Sequence, residues 1–323
     1  STLAKSSTYD LVFTARSASA VQLGPSVSTS VALVVDQAPV GNLAFPILYD
    51  LAAVETLRGP QGTLFGQGAS AGVINIRTVA PSTDRISVSG SMQYADKGTA
   101  GSEFGEQIYD AAINLPLSNQ IALRVASQYR IETGLQRRMN AVPGKPAGTD
   151  NEISDFGIRG KLLIEPTTMF RINLSAEYGK REEDGQTFGG IAIRPNSTTP
   201  LGPPGSTVGD LAAAAYLNPA TCGVTKFSLR AEQYCEEGAS YIETEILAFS
   251  GRIDIDLNDD ITLTSVSSYR DRKYSILRRE FSRLVTAPAA RNERYDENSD
   301  GFSQELRISW TPAKTGTLML PLG

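Results

Sequence analysis

The sequence predicts a mainly β protein that forms part of an antiparallel transmembrane β-barrel, and three observations support this prediction. Apolar and polar residues alternate with period two over segments of about eleven residues, which is longer than an ordinary strand and suits a tilted strand that crosses a membrane. Aromatic residues stand near the predicted strand ends on the apolar face. Short connections alternate with long ones, as they do in outer-membrane barrels.

The alternation is clearest at residues 121–131, which read IALRVASQYRI. Ile, Leu, Val and Tyr side chains share one face, and the other face carries Arg124, Gln128 and Arg130. Three further segments show the same alternation, at residues 170–178, 247–257 and 305–310. A soluble antiparallel sheet with one face in water has the same period, so a soluble β-sandwich remains the alternative.

Eight such strands are predicted, near residues 85–95, 105–115, 119–131, 153–165, 168–180, 240–257, 260–274 and 299–311. The short connections are 116–119, 166–168 and 258–260, and the long ones are 132–152, 181–240 and 276–298. The aromatic residues near strand ends are Tyr94, Tyr129, Tyr178, Tyr269 and Trp310. We expect the short turns at one membrane surface, the long loops at the other, and the aromatic side chains at the interfaces.

The number of strands has a consequence for the N-terminal part of the chain. An eight-stranded barrel is filled by its own side chains, whereas about 22 strands enclose a lumen that a folded domain can plug. In residues 1–82, short apolar strands are mixed with Gly, Ser and Ala. We therefore expect residues 1–82 to be part of a plug domain. We expect residues 83–323 to be the first eight strands of an incomplete barrel, because an open sheet edge cannot lie in lipid.

Composition excludes several classes of function. The chain has 323 residues, a net charge of −5 and no histidine. The acidic balance gives no sign of the basic face that nucleic-acid binding needs. Without histidine, the chain lacks the commonest general base and metal ligand, and Ser-His-Asp and Cys-His catalysis are excluded within it. We therefore predict no enzymatic activity, no cofactor and no metal site.

A glycine-rich segment at residues 54–78 reads VETLRGPQGTLFGQGASAGVINIRT. A phosphate-binding loop needs Gly-Lys-Ser/Thr between a strand and a helix. Here no such tripeptide follows the glycines, and VINIRT has the alternation of a strand. Glycine also permits positive φ and close approach of two backbones. The packing interpretation is therefore favoured, in which the segment folds inside a crowded cavity.

The same segment resembles the end of the plug domain of the TonB-dependent outer-membrane receptors. The family pattern is roughly V-E-V-L-R-G-P-x-x-x-L-Y-G-x-x-A-x-G-G-x-I-N-I-x-T. The matching positions include Glu55, Gly59, Pro60, Gly66, Gly72 and Asn75. Upstream, VALVVDQAPVG and FTARSASA resemble two further plug segments, with Gln37 and Ser17 where glycine is usual. Phe65 stands for the usual Tyr, and Ala71 for the first glycine of a pair.

This resemblance implies a function. Members of the family import scarce nutrients, most often iron–siderophore complexes, across the bacterial outer membrane. The TonB energy-transducing complex of the inner membrane drives this import through an N-terminal receptor segment that is expected to be missing here. Lipid and a small nutrient are the other expected partners, and we expect a monomer. A passive porin or an adhesin is the alternative function, although a plugged lumen argues against the porin.

The resemblance also implies roles for individual residues. Arg16 and Arg58 stand where the family carries plug arginines that pair with barrel glutamates, and Glu55 is a local alternative partner. In the outward plug loop at residues 40–45, the candidates for substrate contact are Asn42, Leu43 and Phe45. A merely structural loop is the alternative for this segment.

Two further groups of residues follow from the predicted topology. Cys222 and Cys235 lie in the longest loop, which is predicted to be extracellular, and we expect them to form a disulfide because the periplasm crossed during export is oxidising. Four arginines are predicted to face the lumen, namely Arg124, Arg130, Arg159 and Arg171. These arginines either favour an anionic ligand or balance the lumenal carboxylates Glu177, Asp254 and Asp256.

Overall fold

The computed structural model describes residues 2–6, 10–15, 18–19, 31–40, 47–60, 71–95, 105–139, 147, 150–184, 233–234, 240–279 and 292–311. Every regular element in these ranges is a strand. The first seven are β1 (Thr2–Ser6), β2 (Asp10–Ala15), β3 (Ala18–Ser19), β4 (Val31–Val35), β5 (Ala38–Pro39), β6 (Leu51–Arg58) and β7 (Gly72–Thr78). The others are β8 (Ser87–Ala95), β9 (Glu106–Ser118), β10 (Ile121–Arg138), β11 (Asp150–Thr167), β12 (Phe170–Asp184), β13 (Gln233–Tyr234), β14 (Tyr241–Asn258), β15 (Ile261–Arg279) and β16 (Asn292–Trp310).

The largest sheet contains eight long strands in the order β16-β15-β14-β12-β11-β10-β9-β8, and every neighbouring pair is antiparallel. We call this sheet the wall; the short strand β13 pairs with its strand β10. The eight predicted strands are confirmed, and most extend further than predicted towards the long connections. Strand β15, for example, is 19 residues long. No described residue belongs to a helix of the length and apolar character that membrane spanning requires.

Tight turns join the wall strands at one edge. Asn258 shows how the sequence specifies such a turn, because its side-chain oxygen accepts hydrogen bonds from the backbone N–H groups of Asp260 and Ile261, both at 2.9 Å. The amide of Gln120 donates to the carbonyl oxygen of Pro166 at 2.9 Å and so ties two adjacent turns together. The short connections therefore lie side by side, as predicted.

The two faces of the wall differ in polarity in the sense expected of a membrane barrel. Large apolar side chains are exposed on the outer face, with Leu174 at 44%, Leu306 at 68% and Ile308 at 71%. The inner face carries buried charged residues such as Arg159 and Glu177. A soluble sheet buries its apolar face, so this arrangement confirms the barrel prediction and excludes the soluble sandwich.

A row of aromatic side chains crosses the outer face and steps two residues towards the short turns at β12 and again at β14. Tyr109, Tyr129 and Phe156 are direct cross-strand neighbours, and the ring of Phe156 lies 6.4 Å from that of Tyr178. Further along the wall, Phe249, Tyr269 and Phe302 are again direct neighbours. The row lies mid-strand rather than at strand ends, because the strands continue beyond it. Tyr94 and Trp310 stand at strand ends, as predicted. Phe170 and Tyr241 lie on the outer face away from the row, Phe170 near the short turns and Tyr241 near the long connections.

Outward side chains change character above the aromatic row, on the side of the long connections. There Lys180 lies 2.7 Å from Glu182 and 3.0 Å from Glu243. Most residues on the outer face between the row and the short turns are apolar, and the polar Ser265, Ser267 and Gln304 there hydrogen-bond to one another. The aromatic row therefore marks the membrane–water interface on the side of the long connections.

An arginine in place of Leu174 tests this orientation. Leu174 lies between the aromatic row and the turns, at the level of the bilayer midplane, and we expect Leu174→Arg to cost about 2–4 kcal/mol of the free energy of unfolding. The measurement is urea unfolding of the full-length protein in lipid vesicles. The matched control is Ser154→Arg, which lies above the aromatic row opposite Glu182 and is expected to be nearly neutral. Equal costs for the two variants would contradict the orientation.

A four-stranded sheet of order β5-β4-β7-β6, which we call the inner sheet, lies against the polar inner face of the wall. Its core is formed by Val31, Val34, Val73, Ile74 and Ile76. A Cβ added to Gly72 would lie 2.6 Å from the carbonyl oxygen of Leu57, so the backbones of β6 and β7 approach too closely for any other residue. This is the close backbone approach that the packing interpretation of the glycines expects.

Candidate functional site

The contact between the inner sheet and the wall contains a buried ion pair between Asp50 and Arg124. The guanidinium of Arg124, on β10, donates from Nε to Oδ2 at 2.8 Å and from Nη2 to Oδ1 at 2.5 Å. Both side chains are only 10% exposed. Asp50 has a φ of 51°, and its carbonyl oxygen accepts a hydrogen bond from the N–H of Val79 at 2.9 Å. The bidentate geometry and the burial make this the strongest polar contact between the two sheets.

Lys161, on β11, makes the second contact. Its ammonium lies 3.0 Å from the Asp36 carboxylate, 2.7 Å from the Thr78 hydroxyl and 3.3 Å from the Val79 carbonyl oxygen. All three donors of the lysine are therefore satisfied by the inner sheet. Asp36 and Gln37 form the β4–β5 turn with φ values of 48° and 70°, and this left-handed conformation explains why glycine suits the position of Gln37.

Arg159, also on β11, makes the third contact, which centres on Tyr49. The Arg159 guanidinium lies 4.5 Å from the centroid of the Tyr49 ring and 3.4 Å from the Tyr49 carbonyl oxygen. Its Nε donates to Glu177 at 3.1 Å. Burial raises the pKa of the Tyr49 hydroxyl above its ordinary value, and the nearby carboxylates of Glu177 and Asp50 add to this against the opposing effect of Arg159. The hydroxyl therefore stays neutral, and it is buried without a hydrogen-bond partner among the described residues.

Two glycines of the wall provide the space for this part of the inner sheet. Gly157 and Gly179 are direct cross-strand neighbours on the inner face. A Cβ added to Gly157 would lie 2.7 Å from Cε1 of Tyr49, and one added to Gly179 would lie 3.3 Å from Cδ1 of Ile47. We call this pair the glycine slot. It lets the side chains of Ile47 and Tyr49 reach the wall backbone, so the two sheets are held by packing as well as by charge.

The unpartnered hydroxyl of Tyr49 gives a testable expectation. Tyr49→Phe keeps the ring in the glycine slot and over Arg159, and it removes a buried polar group that has no hydrogen bond. We expect the free energy of unfolding of the inner sheet to change by less than about 0.5 kcal/mol or to rise. Tyr49→Leu is the control that loses the cation–π contact and should be destabilised. A clear loss of stability in Tyr49→Phe, measured by thermal unfolding, would show that the hydroxyl is hydrogen-bonded.

The inner sheet does not fill the whole space beside the wall. A cavity of about 500 Å³ lies between residues 48–51 and strands β8–β10. Its lining includes Ser91 and Gln128, which both donate to the carboxylate of Asp110, at 2.9 and 2.8 Å. The described part of the inner sheet is thus fastened to β10–β12 and separated from β8 and β9 by a polar space.

The sequence-predicted site residues fall into several groups. Arg58 is exposed at the end of β6 and makes no ion pair with any described residue, while Glu55 binds Arg77 at 2.5 Å and Asn75 at 3.1 Å. Gly59 has a φ of 92°, which glycine adopts most readily, and Pro60 follows it. The residues outside the described ranges are Arg16, Asn42, Leu43, Phe45, Gly66, Cys222 and Cys235.

The lumenal arginines bind carboxylates, which is one of the two roles expected of them. Besides the pairs of Arg124 and Arg159, the guanidinium of Arg130 lies 2.5 Å from Glu106 and 3.2 Å from Asp155. Arg171 lies 2.5 Å from Glu165 at an exposed position. Among the residues that the structure describes, no group of three or more acidic or cysteine side chains is arranged to hold a metal ion.

Sequence reasoning missed the partners on the inner sheet. Asp36, Tyr49, Asp50 and Lys161 were not singled out, although the strand alternation already places Lys161 on the polar face. Asp50 and Arg124 are 74 residues apart, and Asp36 and Lys161 are 125 apart. No local pattern signals contacts over such separations.

Comparison with known proteins adds to this geometry. No protein-family model matches the sequence. The chain is 44% identical over 69 residues to the pesticin receptors of Yersinia enterocolitica and Yersinia pestis, and the match covers 21% of this chain and 10% of either receptor. The whole length of these relatives is therefore far greater than the part that this chain matches.

Solved structures match a larger part of the chain. The siderophore receptor PiuA from Acinetobacter baumannii aligns over 88% of this chain and 35% of its own, with a TM-score of 0.60 and 16% identity. The ferric-catecholate import receptor Fiu of E. coli aligns over 89% of this chain and 40% of its own, with a TM-score of 0.59 and 14% identity. The chain thus spans two fifths or less of the length of either receptor, and at these identities the likeness shows the fold.

Proposed function

We propose that this chain, whose fold is that of the TonB-dependent outer-membrane receptors, belongs to a receptor that actively imports an iron–siderophore complex across the bacterial outer membrane. In this proposal residues 1–82 are part of the plug domain, and residues 83–323 are the first strands of the barrel. The chain has no enzymatic role. The similarity to a receptor named for a siderophore and to one named for a ferric catecholate supports this substrate class.

The observation that carries the proposal is the way the inner sheet is fastened inside the wall. Buried polar contacts reach it from three wall cations, Arg124, Arg159 and Lys161. Breaking one buried pair costs about 3–5 kcal/mol when one charge is left unpaired. Thermal motion alone therefore displaces the inner sheet only rarely, so an external energy source such as TonB is needed to move it.

The same observation argues against the alternative functions. A passive porin needs an open lumen, whereas here a folded sheet is bound across the inner face of several adjacent wall strands. An adhesin needs no fastened inner sheet at all. The polar contacts are also suited to reversible release, because each charged group that leaves its partner can be hydrated in a water-filled lumen.

Several finer assignments form part of the proposal. Substrate contact is assigned to Asn42, Leu43 and Phe45 and to the long loops, because residues 41–46 connect Val40, which is buried beside β4, to Ile47 in the glycine slot. Arg16 and Arg58 serve as additional fasteners to glutamates on later strands. Cys222 and Cys235 form a loop disulfide. The receptor contacts outer-membrane lipid and works as a monomer.

Uptake by intact cells tests the proposed function. Cells that produce the full-length receptor are given a radiolabelled ferric siderophore, with and without an uncoupler that collapses the proton-motive force. We expect binding at the cell surface in both conditions and accumulation only in energised cells that contain TonB. Equal accumulation with and without the uncoupler would favour the passive porin.

A further inference from the structure

Two arginines on the inner face of β15 have hydrogen-bond donors that no described residue satisfies. Nη1 of Arg270 and Nε of Arg272 are both buried without a hydrogen-bond partner. The two residues are separated by one residue on the same strand, so their side chains leave the same face about 7 Å apart. Burying an N–H of a charged group without an acceptor is costly, which makes two such groups side by side a feature that needs an explanation.

The neighbouring strand β16 adds a third donor and an open space. Arg272 lies directly opposite Ser299, whose hydroxyl is also buried without a hydrogen-bond partner. Arg270 lies directly opposite Gly301, and a Cβ added to Gly301 would meet no atom within 4 Å. Three donors without a partner among the described residues therefore lie near the position that a side chain at Gly301 would occupy, and we call Arg270, Arg272, Ser299 and Gly301 the arginine cradle.

The carboxylates near the cradle are already engaged. Glu177 accepts a hydrogen bond from Arg159 at 3.1 Å. Glu297 accepts one from the Tyr295 hydroxyl at 2.9 Å and lies 3.8 Å from Nη1 of Arg272, which is too long for a hydrogen bond. Asp36, which lines the same small space as Arg270, is paired with Lys161 at 3.0 Å. Among these described residues, three guanidinium groups and one ammonium group thus face three carboxylates, which leaves an excess of positive charge near the cradle.

Tyr274 holds one of the two arginines in place. The Arg272 guanidinium lies 4.7 Å from the centroid of the Tyr274 ring, and that ring meets the ring of Tyr295 edge-on at 6.2 Å between centroids. A stacked guanidinium keeps its N–H groups in one plane and directs them away from the ring face. The donors of Arg272 are therefore pre-oriented for a planar or tetrahedral anion.

The cradle lies near described residues of the inner sheet, Pro39 and Ile47. Strand β5, which ends at Pro39, contacts β15, and Pro39 and Arg270 line the same small space. Ile47 contacts Gly179, which lies in the same cross-strand row as Arg272 and Ser299. Pro39 and Ile47 are therefore described residues of the inner sheet that lie near the cradle.

We propose that the arginine cradle of Arg270, Arg272, Ser299 and Gly301 binds an anionic oxygen group, a carboxylate or phosphate-like group, of a small solute in the lumen. The guanidinium groups of Arg270 and Arg272 donate to the anion, the Ser299 hydroxyl adds a third hydrogen bond, and the absence of a side chain at Gly301 leaves room for it. The identity of the solute as the imported substrate rests on the proposed function, whereas anion binding itself does not.

Binding of inorganic phosphate to the purified full-length receptor tests the cradle. Line broadening in the ³¹P NMR spectrum reports binding, and we expect Arg272→Gln to weaken it about tenfold or more, as the loss of a charge-assisted hydrogen bond should. Gly301→Asp places a fixed carboxylate in the space and should abolish binding. The matched control Gly301→Asn has nearly the same shape without the charge and should retain binding.

Thermal unfolding separates this role from a structural one. Because Arg272→Gln removes a buried charge with an unsatisfied donor, we expect the melting temperature to stay the same or rise while phosphate binding is lost. Absence of phosphate binding in the wild type, or binding that is equal in Gly301→Asp and Gly301→Asn, would overturn the proposal. Energy-dependent uptake with no phosphate binding would refute the cradle alone, and phosphate binding with energy-independent uptake would refute the import function alone.

Discussion

Replacing Asp50 with Asn in the full-length receptor is expected to weaken the hold of the wall on the inner sheet by about 3–5 kcal/mol, because it leaves the Arg124 guanidinium buried without a counter-charge. The two side chains are equally buried and joined by two hydrogen bonds, so water cannot replace the lost carboxylate without a rearrangement. The measurement is the urea concentration at which the inner sheet becomes accessible to protease while the barrel remains folded.

The wall also provides a matched control for this variant. Arg171 and Glu165 form an ion pair of the same length, but their side chains are 60% and 29% exposed. Glu165→Gln should therefore change stability by less than about 1 kcal/mol. The double variant Asp50→Leu with Arg124→Met removes both charges and should recover part of the loss. If Asp50→Asn behaves like Glu165→Gln, the buried pair does not fasten the inner sheet.

The second large effect is expected at the glycine slot. Gly157→Ala places a methyl group 2.7 Å from the Tyr49 ring, which is closer than atoms approach in proteins, so the ring and the attached backbone must move. We expect a loss of about 1–3 kcal/mol in the free energy of unfolding, as is usual for overpacking. The same protease assay should show release of the inner sheet at lower urea concentration. In cells without proton-motive force, some siderophore should enter the variant but not the wild type.

Gly160 supplies the control because it lies on the same strand and faces outward. A Cβ added there meets nothing within 4 Å, so Gly160→Ala should be close to neutral. Combining Gly157→Ala with Tyr49→Ala should cost less than the sum of the two single variants, since the clash disappears with the ring. Additive losses, or equal losses for the two alanine variants, would mean that the slot does not set the fit between the sheets.

The inner sheet is held differently by two parts of the wall. Arg124, Arg159, Lys161 and the glycine slot hold the inner sheet against β10–β12. Beside β8 and β9 lies a polar cavity of about 500 Å³. A force on the inner sheet would therefore have to break its contacts with β10–β12. The polar cavity beside β8 and β9 is hydrated space into which the sheet could then move. Here cations of the wall face carboxylates of the inner sheet, so the polarity of these pairs is opposite to that expected for Arg58.

Much of the wall was predictable because strand alternation is a local property. Successive side chains of a strand point to opposite faces, so the sequence of residues 121–131 alone distinguishes the face with Arg124 from the face with Tyr129. The turn at residues 258–260 is likewise local, because Asn258 bonds to residues only two and three positions further on. The heights of the aromatic residues were less predictable, because Tyr129 aligns with Tyr109 and Phe156 only through the register of three strands.

By itself, the sequence determined the strands, their faces, the short turns and the close packing at Gly72, since each depends on residues near one another in the chain. Only the tertiary structure decided which charges meet. Asp50 pairs with Arg124, which is 74 residues away in the sequence, and Asp36 pairs with Lys161, which is 125 residues away. Both pairs form because the inner sheet docks on one particular part of the wall. The arginine cradle arises in the same way, since Arg272 and Ser299 become neighbours only when β15 and β16 pair in this register. Side-chain alternation is specified residue by residue, whereas docking and register depend on the packing of the whole assembly.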